Sequence, residues 1–206
     1  MKVLLVNGSP HKDGCTYTAL REVATALEAN GVDTEIFYIG TEPVRGCIAC
    51  RSCKKTNRCV QDDDACNLLI DKIKEADGLV VGSPVYFSGP NGALCALLDR
   101  VFFSSAEHFA HKPAACVVSC RRGGASAAFD RLNKYFTISQ MPVVSSQYWN
   151  SVHGFKAKDV LLDLEGLQVM RVLGNNMAWM LKNAEAGSPP PERETQRMYT
   201  SFPDGK

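Results

Sequence analysis

A chain of 206 residues with 23 Lys and Arg against 22 Asp and Glu carries a formal charge of +1. That balance lacks the basic excess expected of a nucleic-acid binder and the acidic excess of many small electron carriers. The length suits one well-buried domain, no apolar run reaches the ~18 residues of a membrane helix, and KVLLVN is too short for a signal peptide.

Lys2 to Asn7, apolar and bounded by Gly-Ser-Pro, has the pattern of a fully buried parallel strand. The loop GSPHKDGCT follows, then a helix from Thr16 to about Asn30 whose Ala19, Val23, Ala26 and Leu27 share one stripe, ended by Gly31. In that loop Ser9, Thr16 and a row of backbone N–H groups at the helix start favour a phosphate. It has neither the G-x-G-x-x-G of a dinucleotide fold nor the GK[ST] of a P-loop, so it reads as a monophosphate cradle.

Thr34 to Ile39 reads as the second strand, and GCIACRSCKKTNRC comes next. Cys47, Cys50, Cys53 and Cys59 form a C-x2-C-x2-C-x5-C run whose short steps let thiolates curl round one inorganic centre. Arg45, Arg51, Lys54, Lys55 and Arg58 surround them with no acid between Val44 and Gln61, so thiolate charge is offset. Nine cysteines, an odd number, argue against a disulfide framework and for metal or redox chemistry in the cytoplasm. Zinc is the lesser alternative, since zinc sites built from four cysteines usually come as two separated pairs. Unmetallated redox thiols are another.

Asp64 is placed to cap a helix carrying Leu68, Leu69, Ile73 and Ala76. A third strand spans Gly78 to Gly82, and GSPVYFSGPNGAL then exposes Tyr86 and Phe87 before Gly89-Pro90-Asn91 turns into a helix over Gly92 to Phe103. That loop suits a flat ring, with backbone amides for its polar edge. The fourth strand, Ala114 to Ser119, leads into SCRRGGAS, where Ser119, Arg121, Arg122, Gly123 and Gly124 offer cations and an approachable backbone to an anionic ring. Ser126 to Thr137 reads as a helix, Met141 to Ser145 as the fifth strand, and Asp159 to Lys182 as a packing helix. By chain position alone, Trp149 and His153 lie on the cofactor side, where they would cover the ring of this chain or that of a partner across a dimer. Cys66, Cys95 and Cys116 read as small buried apolar residues, and the same packing is favoured for Cys15 and Cys120 over a lowered thiol pKa.

These elements predict an α/β fold: a doubly wound, five-stranded parallel sheet of flavodoxin-like order 2-1-3-4-5 with helices on both faces. A single domain spans 1–186 with its cysteine-rich loop at 46–60, and 187–206 form a tail without core pattern.

Together GSPHKDGCT, GSPVYFSGPNG and the four-cysteine loop resemble the NADPH-dependent FMN reductase superfamily, and within it the iron–sulfur flavoproteins. The resemblance implies an oxidoreductase whose domain binds FMN and a [4Fe-4S] cluster, linked to NAD(P)H or reduced ferredoxin. It implies the FMN phosphate at Ser9, Lys12, Cys15 and Thr16, the ring at Pro84, Val85, Tyr86, Phe87 and Gly89, and the cluster on Cys47, Cys50, Cys53 and Cys59. His11 reads as a phosphate-loop or solvent residue rather than an acid catalyst, because flavin chemistry needs no proton donor from the protein. The chain departs from the family at Cys15, where Asn is common. A homodimer or dimer of dimers is implied, exchanging electrons with small-molecule or protein partners and engaging neither nucleic acid nor membrane. Two alternatives stand beside this reading: a cluster-free NAD(P)H-dependent reductase of FMN or quinones, and a non-enzymatic flavodoxin-like electron carrier.

Overall fold

The structure, a computed structural model, describes residues 1–192. Strand β1 (Lys2–Asn7) is buried on both faces beyond its first residue, as its Val/Leu run requires. Helix α1 (Cys15–Ala29) presents Ala19, Leu20, Val23 and Leu27 to the sheet, and β2 (Asp33–Tyr38) returns parallel to β1. A one-turn helix α2 (Cys53–Thr56) lies inside the cysteine segment, and α3 (Cys66–Glu75) leads into β3 (Gly78–Tyr86). That strand runs four residues beyond its expected end and folds back through the two-residue β4 (Gly89–Pro90).

Helix α4 (Gly92–Ser105), strand β5 (Ala114–Cys120) and helix α5 (Ala125–Ile138) follow, then β6 (Ser151–His153), the single turn α6 (Ala157–Val160) and the long α7 (Leu164–Ala186). The sheet is six-stranded, in order β2-β1-β3-β5-β6, with β4 antiparallel on β3. This corrects the expectation of five purely parallel strands. It also corrects the fifth strand. Met141 to Ser145 make only an isolated bridge, Val143 with Ala114, and the edge partner of Val118 to Cys120 is Ser151 to His153. Pro142 has no N–H to give to a ladder, so pairing lapses after one bridge and resumes beyond a loop. The last helix begins at Leu164 rather than Asp159, with Asp163 as its cap through Gly166 N. Of the expected tail, 193–206 lie outside the described residues.

One core lies between the sheet and α3, α4 and α5, around Leu69, Leu97, Phe102 and Phe136. The other lies between the sheet and α1 and α7, around Leu20, Leu27, Met170 and Met177. Burial on both faces leaves the strand ends as the place where loops of special chemistry gather. No helix among the described residues is long and apolar enough to cross a membrane.

Candidate functional site

The loops after β1, β3 and β5 are stitched together at the carboxyl end of the sheet. Gly8 N donates to Gly82 O at 2.9 Å, Asn91 Nδ2 donates to Gly8 O at 2.8 Å, and Thr16 and Ser119 share a buried 2.8 Å hydroxyl bond. The first loop is shaped by Asn7, which sequence reasoning overlooked. Its carboxamide accepts from Ser9 N and donates to Lys12 O, while Tyr38 Oη donates to Pro10 O. Helix α1 has Gly14 as its N-cap, which offers it no side-chain bond. Its first-turn N–H groups have no intrahelical partner, so the cradle consists of backbone donors. Ser9 Oγ accepts from His11 N and keeps its own proton to donate, whereas His11 and Lys12 are exposed to solvent. Cys15 donates to Gly154 O, and burial, reinforced by Asp159, pushes its thiol up.

In the β3–β4 hairpin, Phe87 and Ser88 both take left-handed backbone, at φ 49° and 61°. A two-residue hairpin turn of this type usually draws Asn-Gly, and an aromatic there costs about 1–2 kcal/mol. Phe87 is fully exposed and Tyr86 half exposed, so the turn presents rings to solvent without packing in return. Gly124, at φ 87°, abuts this turn: a Cβ there would lie 2.8 Å from Ser88 Cα and 3.1 Å from Val85 Cγ1. At this position of the loop after β5, only glycine leaves room for the hairpin. Arg121 and Arg122 are exposed beside Gly123. Pro84 and Val85 are half-buried continuations of β3. Asn91 has both ends of its amide engaged, capping α4 through Ala93 N as well as holding Gly8.

The cysteine segment follows β2 and folds onto α4. Cys47, Cys50, Cys53 and Cys59 line one recess together with Ile48, Arg51, Arg100 and Phe103. Ala49 and Arg51 are left-handed, which turns the chain sharply between the first three thiols. Cys47 and Cys50 are exposed and Cys53 is buried on α2. Ser52, through its backbone N–H and then its hydroxyl, draws the Cys50 thiol down, while burial pushes Cys53 up. Cys59 is anchored: its N–H donates to Asn67 Oδ1 and its carbonyl accepts from Asn67 Nδ2, both at 2.9 Å. Four thiols and a guanidinium on one recess fit a sulfur-ligated, negatively charged centre. No group of three or more His, Cys, Asp or Glu among the described residues is already closed enough to hold a metal ion.

The expected charge offset is redistributed. Arg45 is paired with Asp63 and Arg58 with Asp71, so neither is a free counter-charge for the thiols. The cation in contact with sulfur is Arg100, forty-one residues from Cys59, with its Nε donating to Cys59 Sγ at 3.2 Å. Asp64, expected only as a cap, accepts from Cys66 N at 3.0 Å and also pairs with Arg100.

Of the other cysteines, Cys66 and Cys116 are buried, and burial pushes Cys66 up to about 12. Cys120 is buried and raised, and Cys95 is half-buried. Trp149 and His153 line a separate hollow with Tyr148, Asp163 and Glu165, where His153 Nδ1 lies 3.2 Å from Asp163 Oδ2.

A parallel sheet with an anion-ready helix start, an exposed aromatic turn and flanking arginines defines a flavodoxin-like α/β protein. The chain belongs to the NADPH-dependent FMN reductase family, whose pattern it matches over residues 1–156. It is 32% identical to an iron–sulfur flavoprotein of Methanocaldococcus jannaschii over 88% of this chain and 98% of that protein. It is 31% identical to an NADPH azoreductase of a Bacillus species over 82% of this chain and 79% of that one. Among solved structures, an archaeal flavodoxin superposes with a TM-score of 0.61 at 17% identity, covering 88% of this chain and 99% of that chain.

Proposed function

We propose that this chain is a cytoplasmic FMN-dependent oxidoreductase of the iron–sulfur flavoprotein type, fed by NAD(P)H or a reduced ferredoxin. The observation that carries the reading is the gathering of Cys47, Cys50, Cys53 and Cys59 on one recess, in a chain whose strand-end loops suit a flavin. Bound FMN would supply hydride and single-electron transfer, and a [4Fe-4S] cluster on those four thiols a one-electron port.

The protein's own residues have separable tasks in this scheme. The α1 N-terminus and Ser9 bind the phosphate, with Lys12, His11 and Cys15 at its rim and Thr16 locking the cradle to Ser119. Pro84, Val85 and Gly89 form the hairpin that brings Tyr86 and Phe87 against the ring, and Asn91 fixes that hairpin to the cradle. Arg121 and Arg122, with the open backbone of Gly123 and Gly124, counter the negative charge of the reduced ring. No side chain need act as an obligatory acid or base. Exposed Phe155, Leu161, Leu162 and Leu164 support a homodimer, testable by sedimentation velocity.

The deciding experiment is anaerobic purification with FMN, iron and acid-labile sulfide measured per chain beside the absorption spectrum. About one FMN with four iron and four sulfide supports the reading. About one FMN without metal favours the second reading, a two-electron NAD(P)H-dependent reductase of quinones, free flavin or azo compounds, to which the likeness to the Bacillus azoreductase lends support. Stopped-flow mixing with NADH and NADPH separates either enzyme from a carrier, which would oxidise neither.

A further inference from the structure

Arg100 sits in α4 among apolar residues with a side chain wholly shielded from solvent. A guanidinium is held there only where its donors are satisfied and its charge is matched. Asp64, itself nearly buried, pairs with Nη1, which also reaches Arg45 O at 3.2 Å, and Nη2 donates to Gln61 O at 2.6 Å. Those three acceptors come from the segments flanking the cysteine run on either side. They leave Nε–H aimed at Cys59 Sγ, at 3.2 Å.

The bond to sulfur is therefore made by a donor whose plane is already fixed. Of the four thiols on the recess, Cys59 alone is also pinned by a two-way backbone clamp, from Asn67. The arrangement fits a residue that holds one ligand in place while the exposed Cys47 and Cys50 close upon a centre. Hydrogen bonds to ligating sulfurs and the net charge nearby are two of the quantities that set the potential of such a centre.

We propose that Arg100 is the positioning residue of the cysteine recess: its Nε–H fixes Cys59 as the anchor ligand and raises the reduction potential of the cluster bound there. The inference rests on the cluster reading above. Asp64 orients the guanidinium and neutralises part of its charge, so the directional N–H···S bond, more than bare charge, carries the effect.

The test uses anaerobically purified full-length protein and two variants, Arg100→Gln and Arg100→Lys, the second retaining a cation for Asp64 should the first fail to fold. Iron, sulfide and FMN are counted and the cluster midpoint is measured by spectroelectrochemical titration. Loss of the N–H···S bond is expected to shift the reduction equilibrium about tenfold toward the oxidised cluster, or ~59 mV lower for one electron. Asn67→Ala, which loosens the Cys59 backbone and spares the sulfur bond, is expected to lower iron retention while leaving the midpoint in place.

Iron-loaded wild type with an unmoved midpoint in a folded, iron-loaded Arg100 variant overturns this inference alone. So does an equal shift in Asn67→Ala, which would make the effect one of general loosening. Failure of both Arg100 variants to retain iron, with FMN content and far-UV circular dichroism unchanged, supports the anchoring role. If both lose fold and FMN together, Arg100 is a core strut and the inference falls. Iron-free wild type removes the cluster reading and this inference with it.

Discussion

Replacing Asp64 by Asn removes one charge from a pair that is almost entirely out of water, Asp64 keeping 8% of its side-chain exposure and Arg100 none. The amide retains an acceptor for Nη1, and Gln61 O, Arg45 O and Cys59 Sγ remain, so geometry is conserved and charge compensation is lost. Deleting one partner of a buried pair costs about 3–5 kcal/mol, and the surviving hydrogen bond brings the expected loss to about 2–3 kcal/mol. For a chain of this size that corresponds to a fall of roughly 4–12 °C in Tm. Urea unfolding of FMN-free, metal-free protein followed by far-UV circular dichroism measures it. A paired Asp64→Leu, Arg100→Met variant should recover most of the loss, because apolar replacements of similar volume substitute well for buried pairs. A loss below about 1 kcal/mol in Asp64→Asn would refute the reasoning, since it is the size expected of a solvent-screened surface pair.

Phe87→Gly relieves a left-handed aromatic that packs on nothing, so apo stability should rise by about 0.5 kcal/mol or more in urea. FMN affinity by fluorescence quenching should weaken about 2- to 10-fold through the lost ring contact; unchanged affinity would separate Phe87 from the flavin. Gly174→Ala sets a Cβ 2.7 Å from both Ala26 Cβ and Val23 O, so α1 and α7 must part, and the overpacking should outweigh the helix gain by about 1–2 kcal/mol. Glu35, bonded to Lys2 and Lys72, is held below its ordinary 4.5, first by the Lys2 bond. A lowered carboxyl stabilises fully above its unfolded value and loses the contribution as pH falls through the folded value. Glu35→Gln should therefore be about 1 kcal/mol less stable at pH 7, with the gap closing below pH 4.5.

Much of this fold was readable because its helices and strands differ in period and the central parallel strands β1, β3 and β5 carry long buried runs. The strand that failed, Met141 to Ser145, has the right composition, but apolarity reports burial and Pro142 withholds a ladder donor. The cysteine run and the loops after β1, β3 and β5 were visible in local spacing. Arg100 was not, although a signal existed: it shares a helical face with Leu97, Val101 and Ser104, so a charge stands where the stripe calls for an apolar side chain. Nothing in spacing could say that its partners are Asp64 and Cys59, since that pairing is made by the return of the cysteine segment onto α4. For the same reason the nearby Arg45 and Arg58 looked like counter-charges, and the tertiary structure gave them to Asp63 and Asp71.

The helix that receives Cys59 also begins at the loops proposed for the flavin, and this links the two halves of the candidate site. Asn91 caps α4, holds Gly8 O in the cradle and donates its backbone N–H to Ser83 Oγ at 2.9 Å. Arg100 lies eight residues after Gly92, ~12 Å along the helix axis. Leu94, Leu97, Leu98 and Val101 bury the helix in the core along its length, so each end is held by its own contacts. Asn91→Ala should thus weaken FMN binding by releasing the cradle, yet leave Arg100 paired, because the buried pair holds the far end to Asp64 and the cysteine segment. A midpoint of the cysteine centre that followed FMN affinity across Asn91 variants would instead mean that α4 transmits displacement between the two groups.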